Sequence, residues 1–185
     1  MSLSPSSHSH QLGGDDGENA HVGMFVEMVS KLISYHGYRS LTVLSIYAEV
    51  PKDFIREKPD SGFIKSCGRA VPQLFGKDIE DSTRIVAQIG HEPYLQVILD
   101  HSDFDIIIGG RAYDPALYAT FCIYHGFKDL GIAYHMGKLM ERGALCSTPK
   151  SKEALAAVRH DSFHIVLLDP KVTLHCHLCR CSFIV

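Results

Sequence analysis

The stretch IIIGGRAYDPALY, residues 106–118, sets a guanidinium and a carboxylate three positions apart, directly after a run of isoleucines and a pair of glycines. An arginine fork matches a carboxylate or phosphate with two parallel N–H bonds, and glycine lets a backbone approach a ligand closely. Gly109, Gly110 and Arg111 are therefore candidate substrate-binding residues for an anion. Asp114 is a candidate for the chemistry beside them, or for capping a helix that Pro115 opens. The same residues also admit a plainer reading: a tight Gly-Gly turn, an ion pair of Arg111 with Asp114 or a surface acid, and an ordinary Asp-Pro helix start.

A second candidate lies in YHMGKLMERGALC, residues 134–146. His135 and Lys138 are three apart and share one face of a helix, so a proton-transfer group stands beside a fixed positive charge. A histidine next to Met136 serves equally well as a half-buried side chain, and a lysine as a solvated one. Cys67 in SCGRAVP and Cys146 in GALCSTP sit in glycine-bearing loops, with no histidine placed beside either as a nucleophile's base. HCHLCRC, residues 175–181, offers soft ligands at Cys-x-x-Cys spacing, but no second Cys/His pair stands at the usual zinc distance. No metal site is assigned, and no cofactor is named by these patterns.

The elements that must position these groups follow from periodicity and punctuation. Residues 1–14 are Ser, His, Gly and Pro with little to bury, the composition of a disordered tail. Residues 15–170 read as one α/β domain, and 171–185 as an aberrant or unstructured tail. Val22, Phe25, Val26, Val29, Leu32 and Ile33 recur at helical spacing, with Gly37 placed to stop the helix. LTVLSIYAEV reads as a strand, PKDFIREK as a short helix, and DIEDSTRIVAQIG and EPYLQVILDH as two helical pieces parted by Gly90. FDIIIGG is a strand ending at Gly109, DPALYATFCIYHG a helix stopped at Gly126, and LGIAYHMGKLMERG another. KSKEALAAVR reads as a further helix and SFHIVLLDP as a strand. This alternation predicts a mainly parallel sheet with helices on both faces, and places ligands beyond the carboxyl ends of the strands.

With 185 residues, 45% hydrophobic and 21% charged, the chain has the composition of one globular domain. A net charge of -3 gives no electrostatic case for nucleic acid or an anionic membrane. No apolar run approaches the roughly 20 residues of a membrane span, and the first residues lack the basic and apolar regions of a secretory signal. The expectation is a soluble, cytoplasmic protein with reduced thiols.

The stretches DGENAHVGMFVEMV, SCGRAVP, STRIVAQIGHEPYL, FDIIIGGRAYDPALYATFCIYHGF and DLGIAYHMGKLMERGALCSTPKSKEALAAVRHDSF resemble the acyclic terpene utilisation (AtuA-like) family in its fungal branch. The resemblance covers residues 16–170, with GGRAYDP and YHMGK its most specific parts. It implies an acidic or thioester small-molecule substrate, namely a branched isoprenoid acid or its coenzyme A ester. The roles open to Arg111, His135 and Lys138 fit a lyase or hydratase step on such a compound, and an oligomer is compatible with it. The resemblance also implies that both ends are shorter than in the family, and that KVTLHCHLCRCSFIV arises from a shifted reading frame or exon boundary. Arg142 stands where the family pattern has a small residue or cysteine, which puts a thiol role nearby in doubt. Two rival expectations stand beside the enzyme: a noncatalytic ligand- or partner-binding subunit, and a truncated fragment without function.

Overall fold

The computed structural model describes residues 17–57, 64–142, 147–148, 154–167 and 173–174. They fall into two units, one drawn from Gly14–Ile89 and Asp100–Ala112, the other from Gly90–Leu99 and Tyr113–Val185.

In the first unit, helix α1 (Asn19–Tyr35) carries the expected apolar repeat and buries Val22. It stops at Gly37, whose φ of 64° suits a residue without a Cβ. There Tyr38 N donates to Ile33 O at 3.1 Å, satisfying a terminal carbonyl. Leu32, expected on the buried face, is 54% exposed, and Met24 and Met28 of the same helix are exposed too. Strand β1 (Val43–Ile46) pairs in parallel with β2 (Ile106–Gly109), from Val43↔Ile106 to Ile46↔Gly109. Asp105 fastens the amino ends of the pair: its carboxylate accepts from Thr42 N at 3.0 Å and from Arg39 Nη2 at 2.6 Å.

Helices α2 (Lys52–Arg56) and α3 (Gly76–Asp81) follow. The helix expected over DIEDSTRIVAQIG ends at Asp81, because the β-branched Thr83, Ile85 and Val86 favour extended backbone and their segment finds partners elsewhere. Val86 bridges Glu49 and Ile89 bridges Ala112, while Val50 N donates to Ile85 O and Ala87 N to Ala48 O, each at 2.8 Å.

The second unit holds helix α4 (Glu92–Asp100) up to Leu99, then α5 (Ala116–Tyr124) and α6 (Leu130–Arg142). Ala119 and Cys122 of α5 meet Ala133 and Met136 of α6 in a core flanked by Ala156, Val158 and Phe163. Gly126, at φ 84°, stops α5 as its sequence position predicts, with Phe127 N donating to Cys122 O at 3.0 Å. Strands β4 (Ala154–Val158) and β5 (Phe163–Leu167) form an antiparallel hairpin closed by Arg159 N donating to Ser162 O at 2.7 Å.

KSKEALAAVR is therefore a correction: its second half is strand β4, not helix. Ala154, Ala156 and Val158 are half-buried while Leu155 and Ala157 are exposed, a period of two that the cross-strand partner fixes against alanine's helical preference. The mainly parallel sheet is corrected too. Among the described residues there are three two-stranded sheets, one parallel and two antiparallel, the third pairing β3 (Ser147–Thr148) with β6 (Thr173–Leu174). A parallel neighbour needs a long crossover, and the tight turn at residues 159–162 permits only an antiparallel return. What remains of the expectation is a general α/β class. No helix among the described residues is long and apolar enough to cross a membrane.

Candidate functional site

In the first unit, the strand-end corner is built by close backbone approach. Gly110 N donates to Ile46 O at 2.8 Å. A Cβ at Gly110 would lie 2.8 Å from Ala48 Cβ and 3.0 Å from Ala48 N, so the glycine is required by the chain's own packing. Gly109 ends β2 opposite Ile46. Arg111 follows and is exposed, its carbonyl taken by Ile89 N at 3.1 Å.

The amino end of α1 reaches the same chain segment. Asn19 Oδ1 accepts from both Ala48 N and Glu49 N at 3.2 Å, and Asn19 N donates to Glu49 Oε1 at 2.7 Å. Arg84 binds Glu18 at 2.6 Å and stands 3.7 Å from Glu49. The negative group favoured at a helix start is thus supplied by Glu49 itself.

In the second unit, the two singled-out motifs meet residue by residue. The rings of Tyr113 and Tyr134 lie 5.8 Å apart, tilted by 30°. Pro115 presses on Gly137, where a Cβ would stand 2.7 Å from Pro115 Cβ. Asp114 binds Lys138, which also reaches Glu141 at 3.2 Å. Tyr134, Gly137, Lys138 and Glu141 are spaced to share one face of α6, and the first three make the contacts to residues 113–115. Asp114 as the cap of α5 is corrected here: the N-cap is Pro115, with no side-chain bond, because Lys138 holds the carboxylate.

The hydrogen bond from Lys138 to Asp114, with Glu141 beside it, outweighs desolvation and raises the ammonium's pKa above its ordinary value. Lys138 is therefore a fixed cation at neutral pH and no base. His135, on the same helix, makes a different contact, its ring meeting Phe163 of β5 edge-on at 5.3 Å. Spacing placed His135 and Lys138 together on α6, and the structure gives each its own neighbours.

One pair had no signal in spacing. His91 Nδ1 lies 2.5 Å from Tyr134 OH, with Glu92 Oε2 3.7 Å from the same nitrogen. The His91 side chain is only 17% exposed, and its carbonyl accepts from Thr120 Oγ1 at 3.3 Å and Leu95 N at 2.9 Å. Burial first, then the Glu92 charge, pushes the Tyr134 phenol up, with a bond to the His91 backbone acting the other way. The only hint in the sequence is that His91 follows the Gly90 break.

Cys67 is exposed and Cys122 buried. Cys146, residues 1–14 and HCHLCRC lie outside the described residues, within which no group of three His, Cys, Asp or Glu side chains is arranged to hold a metal. A cleft of about 860 Å³ is lined by Lys65, Cys67, Val71, Leu74, Phe75 and Asp78 among others; of the residues singled out in the sequence Cys67 borders it, and Gly109, Gly110, Arg111, Asp114, His135 and Lys138 do not. Set against protein-family models, curated proteins and solved structures, the chain matches none.

Proposed function

We propose that the chain acts on a branched acyl compound bearing a carboxylate or thioester, and that a lyase or hydratase step takes place beside Lys138. The observation that supports this reading is the meeting of Tyr113, Asp114 and Pro115 with Tyr134, Lys138 and Gly137. It fixes a permanent ammonium on a helix face that also carries a phenol. Such a cation stabilises the oxyanion that forms when a thioester's α-proton is removed. Asp114 positions Lys138, and His135 is the proposed base for the α-proton. Gly109, Gly110 and Arg111 are proposed as an anion-holding corner of their own unit. The substrate class rests on the resemblance of GGRAYDP and YHMGK to the acyclic terpene utilisation family.

The test is to incubate the full chain with 3-hydroxy-3-methylbutyryl coenzyme A and, separately, its dehydrated enoyl partner. Loss or gain of water is followed by mass and by the absorbance of the conjugated thioester. Turnover that falls about 10²-fold in Lys138→Met is the expected result. A folded chain that leaves both thioesters unchanged sinks the reading. The exposed Met24, Met28 and Leu32 of α1 favour the rival, a noncatalytic binding subunit, whose signature is thioester binding without turnover.

A further inference from the structure

We infer that Tyr134 and His91 form a proton relay, in which Tyr134 is the acid that touches a substrate hydroxyl and His91 the positioning residue that resupplies its proton. The inference rests on the acyl lyase reading and adds the half of the reaction that reading lacks. Elimination needs a base at the α-carbon and an acid at the departing oxygen, and a hydroxide does not leave unassisted at neutral pH.

The geometry supports the acid. His91 Nδ1 and Tyr134 OH stand 2.5 Å apart, in hydrogen-bonding contact. The main chain of His91 is held at its carbonyl by Thr120 and Leu95, and the Tyr134 ring contacts the rings of both His91 and Tyr113. Tyr113 is 43% exposed, so the tyrosine pair reaches the surface. The charged and titratable groups facing the relay are Glu92 of α4 beside His91 Nδ1 and Tyr113 beside Tyr134. Lys138, one turn along α6, is already held by Asp114 and Glu141. A phenol whose pKa is raised by burial holds its proton until a developing oxyanion draws it.

The step balances as follows for a 3-hydroxyacyl thioester. The α-C–H bond breaks, its proton goes to His135, and its electron pair forms the new C=C bond. The β-C–O bond breaks with its pair on oxygen, which takes the proton of the Tyr134 hydroxyl and leaves as water. The phenolate takes the N–H proton of the His91 imidazolium, and solvent reprotonates the imidazole.

The full chain, labelled with ¹³C-tyrosine and ¹⁵N-histidine, is titrated through the range where imidazole ionises, alongside Tyr134→Phe and His91→Gln. In the wild type, the Tyr134 Cζ and His91 ring-nitrogen signals are expected to move with one shared midpoint. In Tyr134→Phe the His91 midpoint moves, and in His91→Gln the Tyr134 response disappears. A Tyr134 signal that stays still while His91 titrates overturns the relay, whatever the chain's substrate.

With 3-hydroxy-3-methylbutyryl coenzyme A, Tyr134→Phe is expected to lower kcat about 10²-fold and His91→Gln to remove the pH dependence that follows the imidazole. An unchanged kcat and pH profile in both variants overturns the relay even if the titrations are linked. Linked titrations in a chain inert to the thioester support the relay and overturn the acyl reading alone.

Discussion

Gly137 and Pro115 touch so closely that a methyl group at 137 would stand 2.7 Å from Pro115 Cβ and 3.0 Å from its carbonyl oxygen. The contact joins α6 to the start of α5 and brings Lys138 to Asp114.

Gly137→Ala is where two effects of opposite sign meet. Helix preference alone favours alanine by about 0.8–1 kcal/mol. Overpacking against a proline ring and its backbone costs about 1–3 kcal/mol, and the proline cannot turn aside. Because the ring is immovable the clash wins, and the variant is expected to unfold at lower urea concentration, losing up to about 2 kcal/mol net. Gly23→Ala in α1 is the control, since nothing lies within 4 Å of its added Cβ. It is expected to gain about 0.5–1 kcal/mol. A stabilised Gly137→Ala would contradict the close approach.

The elements legible in sequence were those with local punctuation. Gly37 and Gly126 stop α1 and α5 at positive φ, and the Gly109–Gly110 pair ends β2 where expected. Strand β4 was hidden because EALAAV prefers a helix locally, and only its hydrogen bonds to residues 163–167 decide otherwise. Asp114 shows the same limit at the site: its position before Pro115 reads as a cap, while its actual partner is 24 residues away. The His91–Tyr134 contact spans 43 residues, and no spacing rule in a single sequence reaches that far.

Lys138 should give the protein an alkaline stability limit. Its folded pKa is raised above 10.5 by Asp114 and Glu141. Stability from this linkage is fully present below the unfolded value and is lost as pH rises through the folded one. Lys138 and Asp114 are each more than a third exposed, so solvent screening holds the pair to about 0.2–1 kcal/mol. Tyr94, pushed up to about 12 by burial, adds a loss on the same side, beginning above its ordinary 10.0. Urea midpoints of wild type and Lys138→Met are therefore compared through this alkaline range. The difference between them is expected to shrink as Lys138 loses its proton, and a constant difference would mean that the ion pair contributes nothing.

Asn19 ties the amino end of α1 to the chain just beyond β1. Its Oδ1 accepts from Ala48 N and Glu49 N, and Ala48 is 2% exposed, so water cannot readily replace the bond. Asn19→Ala is expected to cost about 1–2 kcal/mol and to speed amide hydrogen exchange at Ala48 and Glu49. Asn19→Asp keeps the acceptor but sets a second negative charge beside Glu49, so its loss should be eased by salt. Unchanged exchange at Ala48 in Asn19→Ala would show that the bond does not hold this corner.

Two thiols report on the two units separately. Cys67 is exposed in the first, whereas Cys122 is 1% exposed in the second, and burial pushes its thiol up, which disfavours the reactive thiolate. Iodoacetamide applied to the native chain, with peptides mapped by mass, is expected to label Cys67 promptly and Cys122 only as α5 and α6 part. The labelling rate of Cys122 then measures the opening of its core. Because Pro115 against Gly137 helps hold those helices together, Gly137→Ala should accelerate labelling of Cys122 and leave Cys67 unchanged. A Cys122 labelling rate unchanged in Gly137→Ala would mean that the contact does not hold α5 against α6.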